Sequence, residues 1–573
     1  MAQNAQIASE LSTIADLLEL TGANPFRVRA YNNAARTVET LDEDLAHMVA
    51  QEDDLTELPG IGKDLAKQLT QRVAGTPFAL LTELNETVPK GLHQVVRVPG
   101  LGPKKARALW TELGIEDLDA LEKAAKAGEI EKLKGFGPTM QQKIAAGVDT
   151  ARRHQARMRR ADAEPTVDAL AAWLNQEPTA ERVAVAGSFR RGRDTIGDLD
   201  VIVVTHDDEA VMRHLKAYDG VQEVLWSGPQ KTSIVVAGDL QVDVRTVEPR
   251  SFGAAMNYFT GSKAHNVRLR QRAIEHDLRL NEYGLWRDDG ETMVAGETEA
   301  ELYKALGLVV VPPELREDRG EIEAAEADDL PILIEDGNIH ADLHMHTDWS
   351  DGQADLVTML DEQAARGRTV VAITDHSPAL KMTRGLERDK LLRQWDAIDS
   401  LDLPAGMTVL KGMEVDILKD GTLDMDDDLL ERMDVVVASV HSHFDLDEDV
   451  QTERLERALS HPSVRIFGHP TGRLLGKRDG IRFDRTRVLQ ACLNNHVAIE
   501  INAHPARLDA DDVLARQAAK LGLKISINTD AHAVSDLDLM RHGVLQARRA
   551  WLTTDDVINA WDTDDLLTFL RRA

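Results

Sequence analysis

Cysteine occurs once in the 573 residues, aromatic side chains make up 4 % of them, and no apolar run is long enough to span a bilayer. A single thiol cannot form an internal disulfide; Cys492, set in the apolar stretch VLQACL, reads as a buried small hydrophobe without a chemical role. No basic-plus-apolar leader stands at the N-terminus, so a cytoplasmic chain with no membrane partner is expected. Positive charge is also short. The 67 Lys and Arg against 98 Asp and Glu, a net −31, argue on average against a nucleic-acid partner, because phosphate contacts need local cations. The average hides an asymmetry: residues 1–160 carry 21 basic against 22 acidic groups, 161–318 carry 17 against 28, and 319–573 carry 29 against 48. Of the 19 histidines, 12 lie from His340 onward, in under half the chain, which points that tail toward metal.

At this length one core is excluded, and three to five domains follow from a norm of roughly 100–200 residues each. Three phrases recur near the front, LPGIG at 58–62, VPGLG at 98–102 and a looser LKGFG at 133–137, each followed by a helix-like run. After the basic run ARRHQARMRR, β-branched strands (VAVAG, DLDVIVV, TSIVVA, LQVDVRTV) alternate with helical segments. Between 312 and 338 seven acids from Glu321 to Asp336 and little large apolar content before Leu330 predict an exposed linker. Beyond it the runs TVVAIT, MTVLKGMEVDI, DVVVASVHSH, IRFD, HVAIEIN and KISINTDAH predict strands separated by helices, hence a parallel α/β domain with its site at strand ends.

In LPGIG and VPGLG, Gly60, Gly62, Gly100 and Gly102 allow a tight turn whose backbone N–H groups can meet a phosphate at the next helix start. An ordinary helix–turn–helix corner is the alternative, but repetition favours sequence-independent DNA binding. Lys104, Lys105 and Arg107, just past the second turn, are placed for phosphates. The segment VAVAGSFRRGRDTIGDLDVIVV reads strand, Gly-Ser turn, Arg-rich helix, then a strand whose Asp198 and Asp200 share one face. In LQVDVRTV, Asp243 and Arg245 lie opposite the Leu240, Val242, Val244 face. A third carboxylate on a neighbouring strand would complete a two-metal site, with Mg²⁺ activating an attacking hydroxyl and stabilising pyrophosphate. Ser188 and Arg191 could grip a triphosphate.

GSFRRG followed by GDLD, VDVR, YFTGSKAHN and LNEYG resembles the nucleotidyltransferase core of family X DNA polymerases, the DNA polymerase beta family, over about residues 1–318. The resemblance implies Asp198, Asp200 and Asp243 as catalytic ligands of Mg²⁺ or Mn²⁺, with Ser188, Arg191 and Gly197 at the nucleotide phosphates. It also implies Tyr258, Phe259 and Gly261 against the sugar, Asn266 at the incoming base or minor groove, Arg270 toward the template and Arg245 tuning the primer end. One departure stands out. Where eukaryotic relatives carry a lysine that forms a Schiff base with an abasic sugar, this chain has Gln68; Lys63 and Lys67 are close, but on a helix Lys67 points about 100° away from position 68. Deoxyribose-phosphate lyase activity is therefore not expected.

The tail offers HMH (His344, His346), Asp351, TDH ending at His376, GME with Glu414, SVHSH with His441 and His443, GHP with His469, and TDAH with Asp530 and His532. Imidazole plus carboxylate suits Zn²⁺, Mn²⁺ or Fe²⁺ better than Mg²⁺. His461, His496, His504 and His542 read as ordinary core or surface histidines. The motif order resembles the PHP (polymerase and histidinol phosphatase) family over about 339–573. It implies a distorted (β/α)7 barrel holding three metals on His344, His346, Asp351, His376, Glu414, His441, His469, Asp530 and His532, with His443 only a neighbour.

Together the resemblances imply a multidomain architecture. It comprises a helical DNA-end-binding domain (1–88), a helix-hairpin-helix subdomain (89–160), an α+β palm (161–250), a nascent-base-pair subdomain (251–318), an acidic linker (319–338) and the PHP domain (339–573). This is the bacterial and archaeal arrangement. It carries the expectation of a monomeric gap-filling DNA polymerase for base excision repair using deoxynucleoside triphosphates on gapped or primer-template DNA. A Mn²⁺-stimulated 3′→5′ exonuclease in the tail, cutting at abasic sites in some relatives, is expected with it. The alternatives are a tail that hydrolyses a small phosphomonoester or pyrophosphate, and a catalytically silent DNA-end scaffold.

Overall fold

The computed structural model describes residues 2–571 apart from 42–44, 52, 90, 97, 99–100, 134, 138–139, 142–143, 145–147, 149–156 and 288. It divides into two compact units, Met1–Arg157 and Met158–Ala573. The described residues of the first unit form helices, including Ala2–Thr21, Pro25–Thr40, Lys63–Val73 and Pro103–Leu113. Asn24 starts the second of these: its side chain accepts from the Phe26 N–H, and Pro25 fills a position where no donor is needed. Ile61, Leu65 and Leu69 share one apolar cluster with Ile7, Leu11 and Ile14 of the first helix.

The second unit opens with a five-stranded mixed sheet, in the spatial order Ala180–Val185, Asp198–Thr205, Leu240–Val247, Lys231–Val236, Glu223–Ser227. Its central pair, Asp198–Thr205 and Leu240–Val247, is parallel, and its other neighbours are antiparallel. Alternation buries Leu240, Val242 and Val244 against the helices Arg160–Leu174 and Asp208–Lys216. The opposite face carries the acids. Helices Phe252–Thr260 and Lys263–Glu275 and a three-stranded antiparallel sheet follow.

The tail is a seven-stranded parallel sheet in chain order, Ala341–Asp342, Val370–Ile373, Thr408–Asp416, Val435–Ser439, Ile466–Phe467, Ala498–Asn502 and Ile525–Asn528. The chain just past the last strand returns to the first: the His346 N–H donates to Ala531 O at 2.8 Å and the Asp530 N–H to His344 O at 2.9 Å. The result is a nearly closed barrel, as the PHP resemblance implies, built from the parallel strands that the spacing predicts.

Two expectations are corrected. IRFD is not a strand: Ile481 and Phe483 are buried in a loop and Asp484 caps the helix Arg485–Asn494, while the strand is the preceding Ile466–Phe467. Nor is 319–338 an exposed linker. Helix Glu321–Glu326 buries Ile322 and Ala325 against Leu302, Leu306 and Val311, and the Ile334 N–H donates to Leu552 O at 3.0 Å. Glu321 is itself buried, accepting from the Asp318 and Arg319 N–H groups and bonded to His265 Nδ1 at 2.7 Å. The segment's other six acids are exposed while Ile322, Ala325, Leu333 and Ile334 are buried, a division that counting charges does not reveal.

Candidate active sites

Register places Asp200 directly opposite Asp243 and Asp198 opposite Gln241. Burial, reinforced by the charges of Asp198 and Asp243, pushes the Asp200 carboxyl up to about 7, against the pull of Arg245 and Lys231. The Lys231 ammonium pairs with Asp243 Oδ2, and Gln241 Nε2 donates to its Oδ1 at 3.1 Å. A cation is thus already drawn to a site of crowded, desolvated oxygen donors, the donor set that suits a hard divalent ion. Gly187, at φ +66, lets the GSFRRG turn close over this site: a Cβ there would stand 2.8 Å from Asp200 Oδ2.

Ser188 lies in the short helix Gly187–Arg190, and Gly197 joins Thr195–Ile196 to the strand bearing Asp198. Arg191 Nε donates to Glu317 Oε1 at 3.1 Å and its Nη1 to the Thr260 carbonyl. Gly261 is beside it, since a Cβ there would lie 3.2 Å from Arg191 Nη1. Tyr258 and Phe259 meet edge-on at 5.0 Å, and the Arg245 guanidinium sits 4.5 Å over the Phe259 ring. Asn266 is buried with Nδ2 donating to Tyr258 O at 2.7 Å, and Arg270 Nε donates to Asn266 O at 3.2 Å. The residues expected at phosphate and sugar therefore form one neighbourhood beside the carboxylates, although Arg245 and Asn266 are engaged with protein groups.

In the first unit Gly60 has φ +76, and Gly62 and Gly102 stand at the starts of their helices, where no side chain caps the first N–H groups. Gly100 lies outside the described residues. Lys104 is exposed, Lys105 reaches Met140 Sδ at 3.9 Å, and Arg107 packs over Gly22. Tyr31 Oη donates to Gln68 Oε1 at 3.2 Å, so the amide at the lysine position is bonded within the helical core.

At the barrel the predicted residues sit at or just past the C-terminal ends of strands. Three groups bring their donor atoms within 4.8 Å of one another: His346, Asp351, His376 and His532; His344, His346, Glu414 and Asp530; and His376, Glu414 and His441. His346, His376 and Glu414 each belong to two groups, so the three are joined. Glu414 is central, with Oε2 2.8 Å from His376 Nδ1 and Oε1 2.8 Å from His469 Nε2. Burial raises its carboxyl, but His441, His376 and His344 together hold it well below the usual range. His441, opposed by burial but raised by Glu414 and Asp416, reaches about 10, and burial with His532 and His376 lowers His346 to about 3.

Among the described residues, the buried atoms His344 Nε2, His346 Nδ1 and His469 Nδ1 have no hydrogen-bond partner, and His376 Nδ1 and Glu414 Oε2 face each other at 2.8 Å without a hydrogen bond. Imidazole nitrogens left so are costly to bury unless a ligand completes them, and this donor set fits divalent metal ions. His443 stands outside the groups, while His504 and His542 are inward-lying and outside them too.

Three residues escaped sequence reading. Glu500 Oε1 is 2.8 Å from His344 Nδ1, and its Oε2 accepts the His469 N–H at 2.6 Å. Asp416 Oδ1 is 3.1 Å from His441 Nδ1. Both fix an imidazole so that its Nε2 faces the cluster. Arg507 approaches Asp530 Oδ2 at 3.7 Å, with a buried Nη1 that has no hydrogen-bond partner among the described residues. Glu500 is the one acid in the strand run AIEIN, and Asp416 lies two residues after Glu414 on the same strand face in MEVD; those placements are the signal that was available. Glu500→Gln should weaken metal retention about 10- to 100-fold, read by titrating a fluorescent chelator against the loaded chain.

These two sites are those of a nucleotidyltransferase core joined to a metal-dependent phosphoesterase barrel. Comparison agrees piece by piece: residues 2–76 match a helix-hairpin-helix domain, 94–148 a SAM-like helix-hairpin-helix tandem, 157–258 the DNA polymerase beta palm, 255–317 the DNA polymerase beta thumb and 342–504 the PHP domain. Over 570 residues, 98 % of both chains, the sequence is 38 % identical to the DNA polymerase/3′-5′ exonuclease PolX of Bacillus subtilis (strain 168). The chain belongs to that family, the family X DNA polymerases with a C-terminal PHP domain. The tail is also 28 % identical over 232 residues to a probable phosphatase of Thermoanaerobacter sp. (strain X514), covering 38 % of this chain and 89 % of that protein. A probable phosphatase of Acetivibrio thermocellus is 30 % identical over 200 residues, 33 % of this chain and 78 % of its own.

Proposed function

We propose that this chain fills gaps in DNA during repair, extending a primer with deoxynucleoside triphosphates at the palm and trimming 3′ ends at the barrel. What carries the reading is the coexistence, in one compact unit, of opposed carboxylates on the palm sheet and three joined histidine–carboxylate groups on the barrel. No helix among the described residues is long and apolar enough to cross a membrane. The uncapped helix starts after Gly62 and Gly102, with Lys104, hold backbone phosphates regardless of sequence.

At the palm Asp198, Asp200 and Asp243 would hold Mg²⁺ or Mn²⁺, which would supply activation of the primer 3′-hydroxyl and charge neutralisation for the pyrophosphate leaving group. Ser188, Arg191 and Gly197 seat the triphosphate, Tyr258, Phe259 and Gly261 bound the sugar, and Arg270 faces the template. At the barrel the nine predicted ligands would hold Zn²⁺, Mn²⁺ or Fe²⁺, which would supply activation of water against a phosphodiester. Glu500 and Asp416 orient two of the imidazoles, and Arg507 offers its buried Nη1 to the scissile phosphate. The protein acts as a cytoplasmic monomer. With Gln68 bonded to Tyr31, no lyase step is assigned to the first unit.

The test is a gel assay on 5′-labelled gapped DNA with Mn²⁺. Shortening without nucleotides and extension with them is the expected pair of outcomes. Release of inorganic phosphate from a small phosphomonoester, with the DNA left intact, would instead make the barrel a phosphatase.

A further inference from the structure

The barrel reaches the triphosphate-gripping turn of the palm. Gly192, which closes GSFRRG, lies against Leu545 of the barrel helix Met540–Arg549: a Cβ at Gly192 would come 2.7 Å from Leu545 Cγ. At the end of that helix Arg549, its side chain 1 % exposed, is bonded on both sides. Its Nη1 donates to Arg191 O at 2.8 Å and to Glu317 Oε1 at 3.2 Å, and its Nη2 to Asp512 Oδ2 at 2.7 Å. Glu317 Oε1 is the same atom that accepts Arg191 Nε at 3.1 Å. Main chain and side chain of Arg191 are thus both tied to groups that Arg549 touches. With Nε on Glu317 and Nη1 on Thr260 O, Arg191 Nη2 makes no hydrogen bond among the described residues.

We propose that Arg549 is a positioning residue for nucleotide incorporation, supplied by the barrel. Through Glu317 and the Arg191 carbonyl it holds the Arg191 guanidinium in the one orientation that leaves Nη2 for the triphosphate. A planar fork suits this task, since it binds two acceptors at fixed angles where an ammonium would serve as a point charge. The inference rests on the reading of Arg191 as a triphosphate contact. Other ion pairs join barrel and polymerase core, among them Arg548 Nε to Glu314 Oε1 at 2.8 Å, but that pair touches neither Arg191 nor Glu317. It is therefore a built-in control for mere adhesion.

The experiment is steady-state single-nucleotide gap filling by the full chain, with 3′-end trimming measured alongside, for the parent, Arg549→Met, Arg549→Lys, Arg548→Met and Arg191→Met. Arg549→Met should raise the nucleotide KM about tenfold, as for one charge-assisted hydrogen bond lost at the triphosphate. Its kcat should change less than about twofold, the pattern of lost uniform binding, and trimming should be unchanged. Arg549→Lys should give a smaller rise in KM, and Arg548→Met none. Equal KM shifts in Arg548→Met and Arg549→Met, or a joint fall of kcat and trimming in Arg549→Met, would reduce Arg549 to a structural clamp and overturn the proposal. If Arg549→Met does not fold, Arg549→Lys decides: a raised KM supports the role and the parent's KM overturns it. Arg191→Met separates the two failures. An unchanged KM there removes the triphosphate reading itself, whereas a raised KM there with none in Arg549→Met removes only the positioning role.

Discussion

Asp200→Ala should abolish primer extension while leaving 3′-end trimming at the parent rate. Asp200 lies on the same strand face as Asp198 and opposite Asp243 across the parallel pair, so its loss dismantles the proposed metal site of the palm. Electrostatic stabilisation of this kind is the largest single catalytic contribution, and a fall of roughly 10³-fold or more is expected. Single-turnover incorporation on gapped DNA measures it; retention of more than about a tenth of the rate would show the triad to be misassigned. The same carboxyl sets a pH signature. Since burial with Asp198 and Asp243 raises Asp200 to about 7, the metal-free site holds a proton below that pH and a cation must expel it. The half-saturating Mg²⁺ concentration should therefore rise about tenfold for each pH unit below 7 and level off above it. A flat profile from pH 6 to 8 would refute the shift.

Glu414→Gln should silence trimming and spare extension, and it should also weaken the metal-free barrel. Glu414 is 1 % exposed and lies within 3.6 Å of five imidazoles, those of His344, His346, His376, His441 and His469. It belongs to two of the three groups, so one substitution removes a donor from both. Loss of trimming by about 10³-fold follows. Without metal, the carboxylate is also the counter-charge for His441, raised to about 10, and it stands second to Glu500 in raising His344 well above its ordinary value. Removing one partner of such a buried arrangement destabilises by about 3 kcal/mol. Calorimetry of the chelator-treated chain should show the barrel's transition moved down. A variant that trims at the parent rate would exclude Glu414 from the cluster.

The polymerase and barrel motifs were legible because their chemistry is local. Asp198 and Asp200 two apart on a strand, HMH at a strand end, and glycines before helix starts each specify a geometry within a few residues, through side-chain alternation or through φ. The parallel α/β character of the tail followed from the spacing of apolar runs. What spacing could not supply was contact between distant segments. Glu500 lies 156 positions from His344 and Asp416 25 from His441, so the strand runs that carry these acids do not show which imidazole each one orients. The Lys231–Asp243 pair and the Arg245–Phe259 stack depend on strand register and on how the helix Phe252–Thr260 packs. The acidic stretch 319–338 misled for the same reason: charge count describes a segment's exposed side, while Ile322, Ala325 and Ile334 were buried by surfaces contributed elsewhere.

The sequence by itself determined the two chemistries, because ligand type and short-range spacing are written in consecutive residues. Only the tertiary structure decided that the two are physically joined. The bonds from Arg549 to Arg191 and Glu317 link residues up to 358 positions apart, and long-range pairing of buried charges is settled by packing of whole domains rather than by any local pattern.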